Sequence, residues 1–137
     1  MRPAGYSGTP LPRKLGMKPG HAVAFPGAPP GFAERFSDEG VTVPSRLRHP
    51  VDVIVVFATS AAGLRRRFLA ARRALAWDGG LWVAWPKKAS GVATDLSFEV
   101  VQPFGLDAGL VDNKVCAIDE VWSGLRFVHR VGDRPKP

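Results

Sequence analysis

The densest collection of chemically able side chains in this sequence is Lys87-Lys88-Ala89-Ser90-Gly91, followed by Thr94. Two ammonium groups, a hydroxyl and a flexible glycine ahead of a helix start are the parts of an anion or phosphate cradle, because the cations supply charge and the free backbone amides supply donors. The G-x-x-x-x-G-K-[ST] spacing of a P-loop is absent. A second collection is Asp119-Glu120 with Trp122 and Ser123. Paired carboxylates can act as general acid and base, although adjacent residues on a strand point to opposite faces. They can equally pair with Lys87 or Lys88 and clamp one turn onto the other. Trp122, like Trp85, can stack on a base or ring, or simply pack.

Other reactive groups are dispersed. Arg65, Arg66, Arg67, Arg72 and Arg73 crowd one segment, which reads either as a nucleic-acid patch or as a solvated helix face. Cys116 lies in the apolar run Val115-Cys116-Ala117-Ile118 and reads as a small buried side chain; a lone thiol excludes an internal disulfide and a multi-cysteine zinc site. His21, His49 and His129 have no metal-ligand spacing, and no serine sits in a G-x-S-x-G elbow. Catalytic residues, cofactor and metal are therefore not named by any motif.

The elements that must position these groups follow from hydrophobic pattern. Asp52–Ala58 is apolar without alternation and rich in β-branched residues, as a strand buried on both faces reads. Thr59-Ser60 can cap a helix over 61–76, in which Leu64, Phe68, Ala71 and Leu75 share a face. Asp78-Gly79-Gly80 reads as the turn ending it, and Leu81–Trp85 as the next buried strand, completing a βαβ unit. Upstream, residues 21–25 form a short strand, 32–36 a brief helix, and Val41–Val43 a weak strand stopped by Pro44. Downstream, Thr94 or Asp95 caps a short helix carrying Leu96, Val100 and Val101, which Pro103 must kink or end. Strands over 111–119 and 125–131 are joined too closely for a crossover and form an antiparallel hairpin.

The chain has 137 residues, 45% of them hydrophobic and 23% charged, which suits one soluble domain rather than a disordered segment. The net charge of +7 favours anionic partners without choosing among them. The start lacks an apolar signal core, and the longest apolar run falls far short of the ~20 residues of a membrane span. A cytoplasmic location without membrane contact is expected.

Leu15-Gly16-Met17-Lys18-Pro19-Gly20 and Ala74-Leu75-Ala76-Trp77-Asp78-Gly79-Gly80-Leu81-Trp82-Val83 resemble segments of the Rossmann-like methyltransferase fold. The resemblance implies a three-layer α/β sandwich with a mainly parallel sheet ending in an antiparallel hairpin, reduced by one helix–strand unit after Val43. The chain departs from that fold's cofactor loop. Phe25-Pro26-Gly27-Ala28-Pro29-Pro30-Gly31 has no carboxylate at the strand end, and Pro29 and Pro30 have no amide hydrogens to donate, which argues against S-adenosylmethionine binding. Three longer stretches, Gly5–Leu11, Leu81–Gly91 and Gly109–Leu125, closely resemble a bacterial domain family of unknown function, which carries no activity across.

The expected organisation is an N-terminal arm over 1–20, in which Tyr6, Ser7 and Thr9 form a lid or fray, a Rossmann-like domain over 21–131, and a mobile tail over 132–137. Ligands of open parallel sheets bind at the carboxyl ends of the strands. The expected binding residues are therefore Lys87, Lys88, Ser90, Thr94, Asp119, Glu120 and Trp122. The leading expectation is a non-catalytic binder of a small anionic or nucleotide-like ligand, or of a protein partner. The alternatives are a minimal S-adenosylmethionine-dependent methyltransferase or other transferase, and a weak nucleic-acid binder working through the arginine helix.

Overall fold

The computed structural model describes residues 9–135; residues 1–8 of the expected arm, with Tyr6 and Ser7, and the last two residues of the tail lie outside it. Three helices, α1 (Leu11–Leu15), α2 (Ala61–Ala74) and α3 (Phe98–Asp107), accompany five strands: β1 (Val23–Ala24), β2 (Val51–Phe57), β3 (Leu75–Pro86), β4 (Leu110–Ala117) and β5 (Trp122–His129). The strands form one sheet in the order β1-β2-β3-β5-β4. β1 and β3 flank β2 in parallel, whereas β5 runs antiparallel to both β3 and β4. The sheet is thus evenly mixed rather than mainly parallel. The expected strand over 41–43 contributes only the single parallel bridge Ala22↔Thr42.

Both sheet faces are apolar, as the unalternating runs require. Ile54, Val56, Leu81, Val83, Leu125 and Phe127 join Leu64, Phe68 and Ala71 of α2 and Val101 of α3 in one buried cluster. Val53, Val55, Phe57, Trp82 and Ala84 join Leu15, Met17, Phe32 and Phe36 in the other. Trp82 is fully buried, and its indole N–H donates to the Leu15 carbonyl at 3.1 Å, which satisfies the polar tip of a core side chain.

Three local expectations are corrected. Asp78-Gly79-Gly80 does not separate α2 from a later strand. β3 begins at Leu75, and Val51 pairs with Leu75 while Val53 pairs with Gly80, so residues 76–79 form a bulge inside one strand. Gly79 is required there: a Cβ would lie 2.6 Å from the Asp52 carbonyl oxygen. Pro103 does not end α3, which continues to Asp107. Pro103 and Glu99 are both exposed, so the intrahelical donor removed by the proline is missed at a position water reaches. Neither Thr94 nor Asp95 caps α3, whose N-cap is Ser97 without a side-chain bond. Asp95 instead accepts from the Ala61 N–H at 2.8 Å, capping α2 alongside Ser60, which accepts from Gly63 at 3.0 Å.

Candidate functional site

The carboxyl ends of β1, β2 and β3 lie on one rim, together with the β4–β5 turn, because Pro86 at the end of β3 pairs with Trp122 at the start of β5. The lysine turn and the acidic turn meet here: the Lys87 N–H donates to the Val121 carbonyl at 2.8 Å. The loop after β2 joins through Thr94, whose hydroxyl donates to the Thr59 carbonyl at 2.6 Å.

Most of the hydroxyl and carboxylate groups expected to meet a ligand are already engaged. Ser90 Oγ donates to the Lys87 carbonyl at 2.7 Å and accepts from Val92 N–H at 3.2 Å. Thr94 Oγ1 also accepts from Leu96 N–H at 3.0 Å. Asp119 Oδ1 accepts from the N–H groups of Val121 and Trp122 at 2.8 and 2.9 Å, the local pattern by which an aspartate shapes a turn. Its Oδ2 pairs with Arg35 at 3.1 Å. The alternative clamp, Lys87 or Lys88 paired with Asp119 or Glu120, does not form among the described residues; Asp119 is held by Arg35 from the 33–36 turn instead, a partner sequence reasoning missed because 84 residues separate the two. Trp122 packs edge-on against Phe57, with centroids 4.9 Å apart, and Trp85 is buried in the core. Among the described residues the Lys87, Lys88 and Glu120 side chains make no hydrogen bond or ion pair; Lys88 and Glu120 are exposed and Lys87 is half-buried.

Beside this rim stands Cys116. Burial pushes its thiol above the usual range, against the opposing fields of Lys14, Lys114 and Lys87. Lys14 and Lys114, which the sequence did not single out, join Lys87 around this thiol. Lys114 Nζ donates to the Lys14 carbonyl at 3.1 Å, and Lys14 Nζ to the Ala117 carbonyl at 3.3 Å.

The loop after β1 does not suit S-adenosylmethionine. Gly27 has φ +75°, and a Cβ there would sit 2.7 Å from the Phe57 carbonyl oxygen and 2.8 Å from Arg67 Nε, so the loop is pressed onto β2 and α2. Arg67 donates to that same carbonyl at 3.1 Å. Phe25 stacks on Phe36 at 5.2 Å, and Phe32 packs edge-on against Phe57 at 4.8 Å, so phenylalanine rings fill the space beneath the loop. No step through this cofactor follows from these residues.

The fold and its rim define an α/β domain with a mixed five-stranded sheet. No protein-family model and no curated protein matches the chain. Among solved structures it is similar to one titled "A Pericyclic Reaction enzyme", at 11% identity and a TM-score of 0.56, covering 89% of this chain and 47% of that one. It is similar also to LepI in complex with SAM, at 12% identity and a TM-score of 0.54, again over 89% and 47%. The likeness is one of fold, and the chain spans about half the length of the structures it matches. Among the described residues no helix is long and apolar enough to cross a membrane.

Proposed function

We propose that this chain is a three-layer Rossmann-like sandwich, reduced from the methyltransferase plan and belonging to the bacterial family its motifs resemble. In this reading it is a cytoplasmic protein that binds a small anionic or nucleotide-like ligand without transforming it. One observation carries the reading: two lysines with no acidic partner sit on a turn whose backbone is fixed to the neighbouring hairpin by the Lys87–Val121 bond. A cation held on an ordered turn loses little entropy on binding an anion. Lys87 and Lys88 supply charge, Glu120 offers a carboxylate to a ligand amine or hydroxyl, and the Trp122 edge offers an apolar wall. Ser90, Thr94 and Asp119 shape the turns.

Thermal-shift measurements with ATP, inorganic phosphate, S-adenosylmethionine and S-adenosylhomocysteine test it. A ligand at about 100 times its Kd stabilises the fold by about 2.7 kcal/mol, which for a chain of this size raises Tm by roughly 8–10 °C. ATP or phosphate should produce such a shift, and Lys87→Ala with Lys88→Ala should remove it. An undiminished shift in the double variant refutes the anion role. A second reading, S-adenosylmethionine binding with methyl transfer, draws support from the likeness to LepI, which was solved with that molecule. A shift with S-adenosylmethionine alone would favour it.

A further inference from the structure

The opposite rim of the sheet carries a separate basic surface that the anion site does not use. A groove of about 490 Å³ opens at the starts of β1 and β2, lined by Ala22, Pro44, Ser45, Arg46, Arg48, His49 and Pro50. Arg46 and Arg48 are exposed, and no acidic residue lines the groove. The nearest carboxylate in sequence, Asp52, is turned inward and accepts from the Ala22 N–H at 2.9 Å. The β3 bulge lifts Trp77 onto the same rim, where it is 41% exposed. Its ring centroid lies 6.1 Å from that of His49, edge-on, and 4.5 Å from that of His129. Beyond His129, the Arg134 guanidinium donates to the His129 carbonyl at 3.0 Å. Arg130 is exposed next to it. Arg46 and Arg48 line the groove on one side of Trp77, and Arg130 and Arg134 follow directly on His129, which lies against its ring. From β1 across β2 and β3 to β5 the surface spans about 14 Å at ordinary strand spacing.

We propose that this rim binds single-stranded nucleic acid, with Arg46 and Arg48 holding phosphates and Trp77 stacking on a base. Arginines alone would suit any anion, but a partly exposed indole on the same rim, 41% accessible, carries apolar surface that water penalises and a base can cover. A bulge in an otherwise buried strand is a device for aiming a side chain outward, and here the side chain it aims is the indole. A protein partner with an acidic surface would need the arginines and not the indole.

Fluorescence anisotropy of short labelled DNA and RNA oligonucleotides, single- and double-stranded, tests this at two salt concentrations. The intact protein should bind the single strands, more tightly than duplex. Arg46→Ala with Arg48→Ala should weaken binding at least tenfold and lower the slope of log affinity against log salt by about 1.4, since each phosphate contact on a single strand contributes about 0.7. Trp77→Ala should weaken it by about tenfold, while Trp77→Phe should restore most of the affinity. Arg65→Ala with Arg66→Ala, on the exposed face of α2, should leave binding within twofold. Both arginine pairs are exposed, so their variants should fold, and matched Tm values would verify it. Absence of binding at low salt, tighter binding to duplex, an Arg46/Arg48 variant that binds like the parent, or an equal loss in the α2 variant overturns the proposal. So does full competition by polyglutamate with no effect of Trp77→Ala, which would identify an acidic protein surface as the partner.

Discussion

Replacing Asp119 separates a residue that builds the anion site from one that touches the ligand. Its Oδ1 holds the Val121 and Trp122 amides at 2.8 and 2.9 Å, and its Oδ2 pairs with Arg35 at 3.1 Å. A hydrogen bond to a charged acceptor contributes about 1.5–3 kcal/mol when shielded. Here the Val121 amide is exposed and the Trp122 amide only partly buried, so water replaces much of the loss. The two bonds together are worth about 1.5–2 kcal/mol on that basis. The ion pair has side chains 42% and 28% exposed, and such pairs add at most about 0.5 kcal/mol. Asp119→Ala should therefore cost about 2 kcal/mol, a fall in Tm of roughly 6–8 °C. Asp119→Asn keeps an acceptor for the amides and should cost about a third as much. Calorimetry gives both values, and titration with ATP follows binding in the same variants. Asp119→Asn should bind as the parent does, because its turn is intact. If Asp119→Ala melted with the parent while binding was abolished, Asp119 would be a ligand contact and the turn-building account would be wrong.

Other outcomes follow from the packing. Gly105→Ala gains about 1 kcal/mol in helix propensity, but its Cβ would fall 2.0 Å from the fully buried Phe127 ring, so overpacking of about 3 kcal/mol should win and calorimetry should read a lower Tm. His129 is held below its usual pKa by burial first and then by Arg72, Arg134 and His49, against the raising effect of its bond to the Leu75 carbonyl. Its neutral form is favoured in the fold, so its contribution is present above the unfolded value near 6.5 and falls as pH drops toward the lower folded value. Denaturant titrations should show the parent losing stability relative to His129→Gln below that pH, and parallel curves would contradict the assignment. Because burial raises the Cys116 thiol, its alkylation at neutral pH should be slower than that of a free cysteine and should accelerate on unfolding.

Much of the frame was readable in the chain. The unbroken apolar run 52–58 announced a central strand, Ser60 and the Leu64–Phe68–Ala71 spacing announced α2, and the short link between the last two strands required a hairpin. The meeting of the two turns on one rim was legible for the same reason, since hairpin geometry returns residues 119–122 to the end of β3. What escaped was non-local. Asp95 looked like a cap for the helix that follows it, but its partner is the start of α2, 34 residues earlier. Arg35 carried no sign that it would reach Asp119. Asp78-Gly79-Gly80 has the composition of a turn and is a bulge, because Gly79 lets β3 pass close to the Asp52 carbonyl. The hydroxyls of Ser90 and Thr94 looked available because local bonding back to the main chain depends on loop conformation, which residue type alone leaves open.

Amide chemical-shift mapping of the labelled protein during titration with ATP addresses the anion site most directly. The largest changes should cluster at residues 87–91 and 119–122, and they should vanish in the Lys87→Ala, Lys88→Ala variant. Changes confined to residues 44–50 and Trp77, with the lysine turn unmoved, would contradict it.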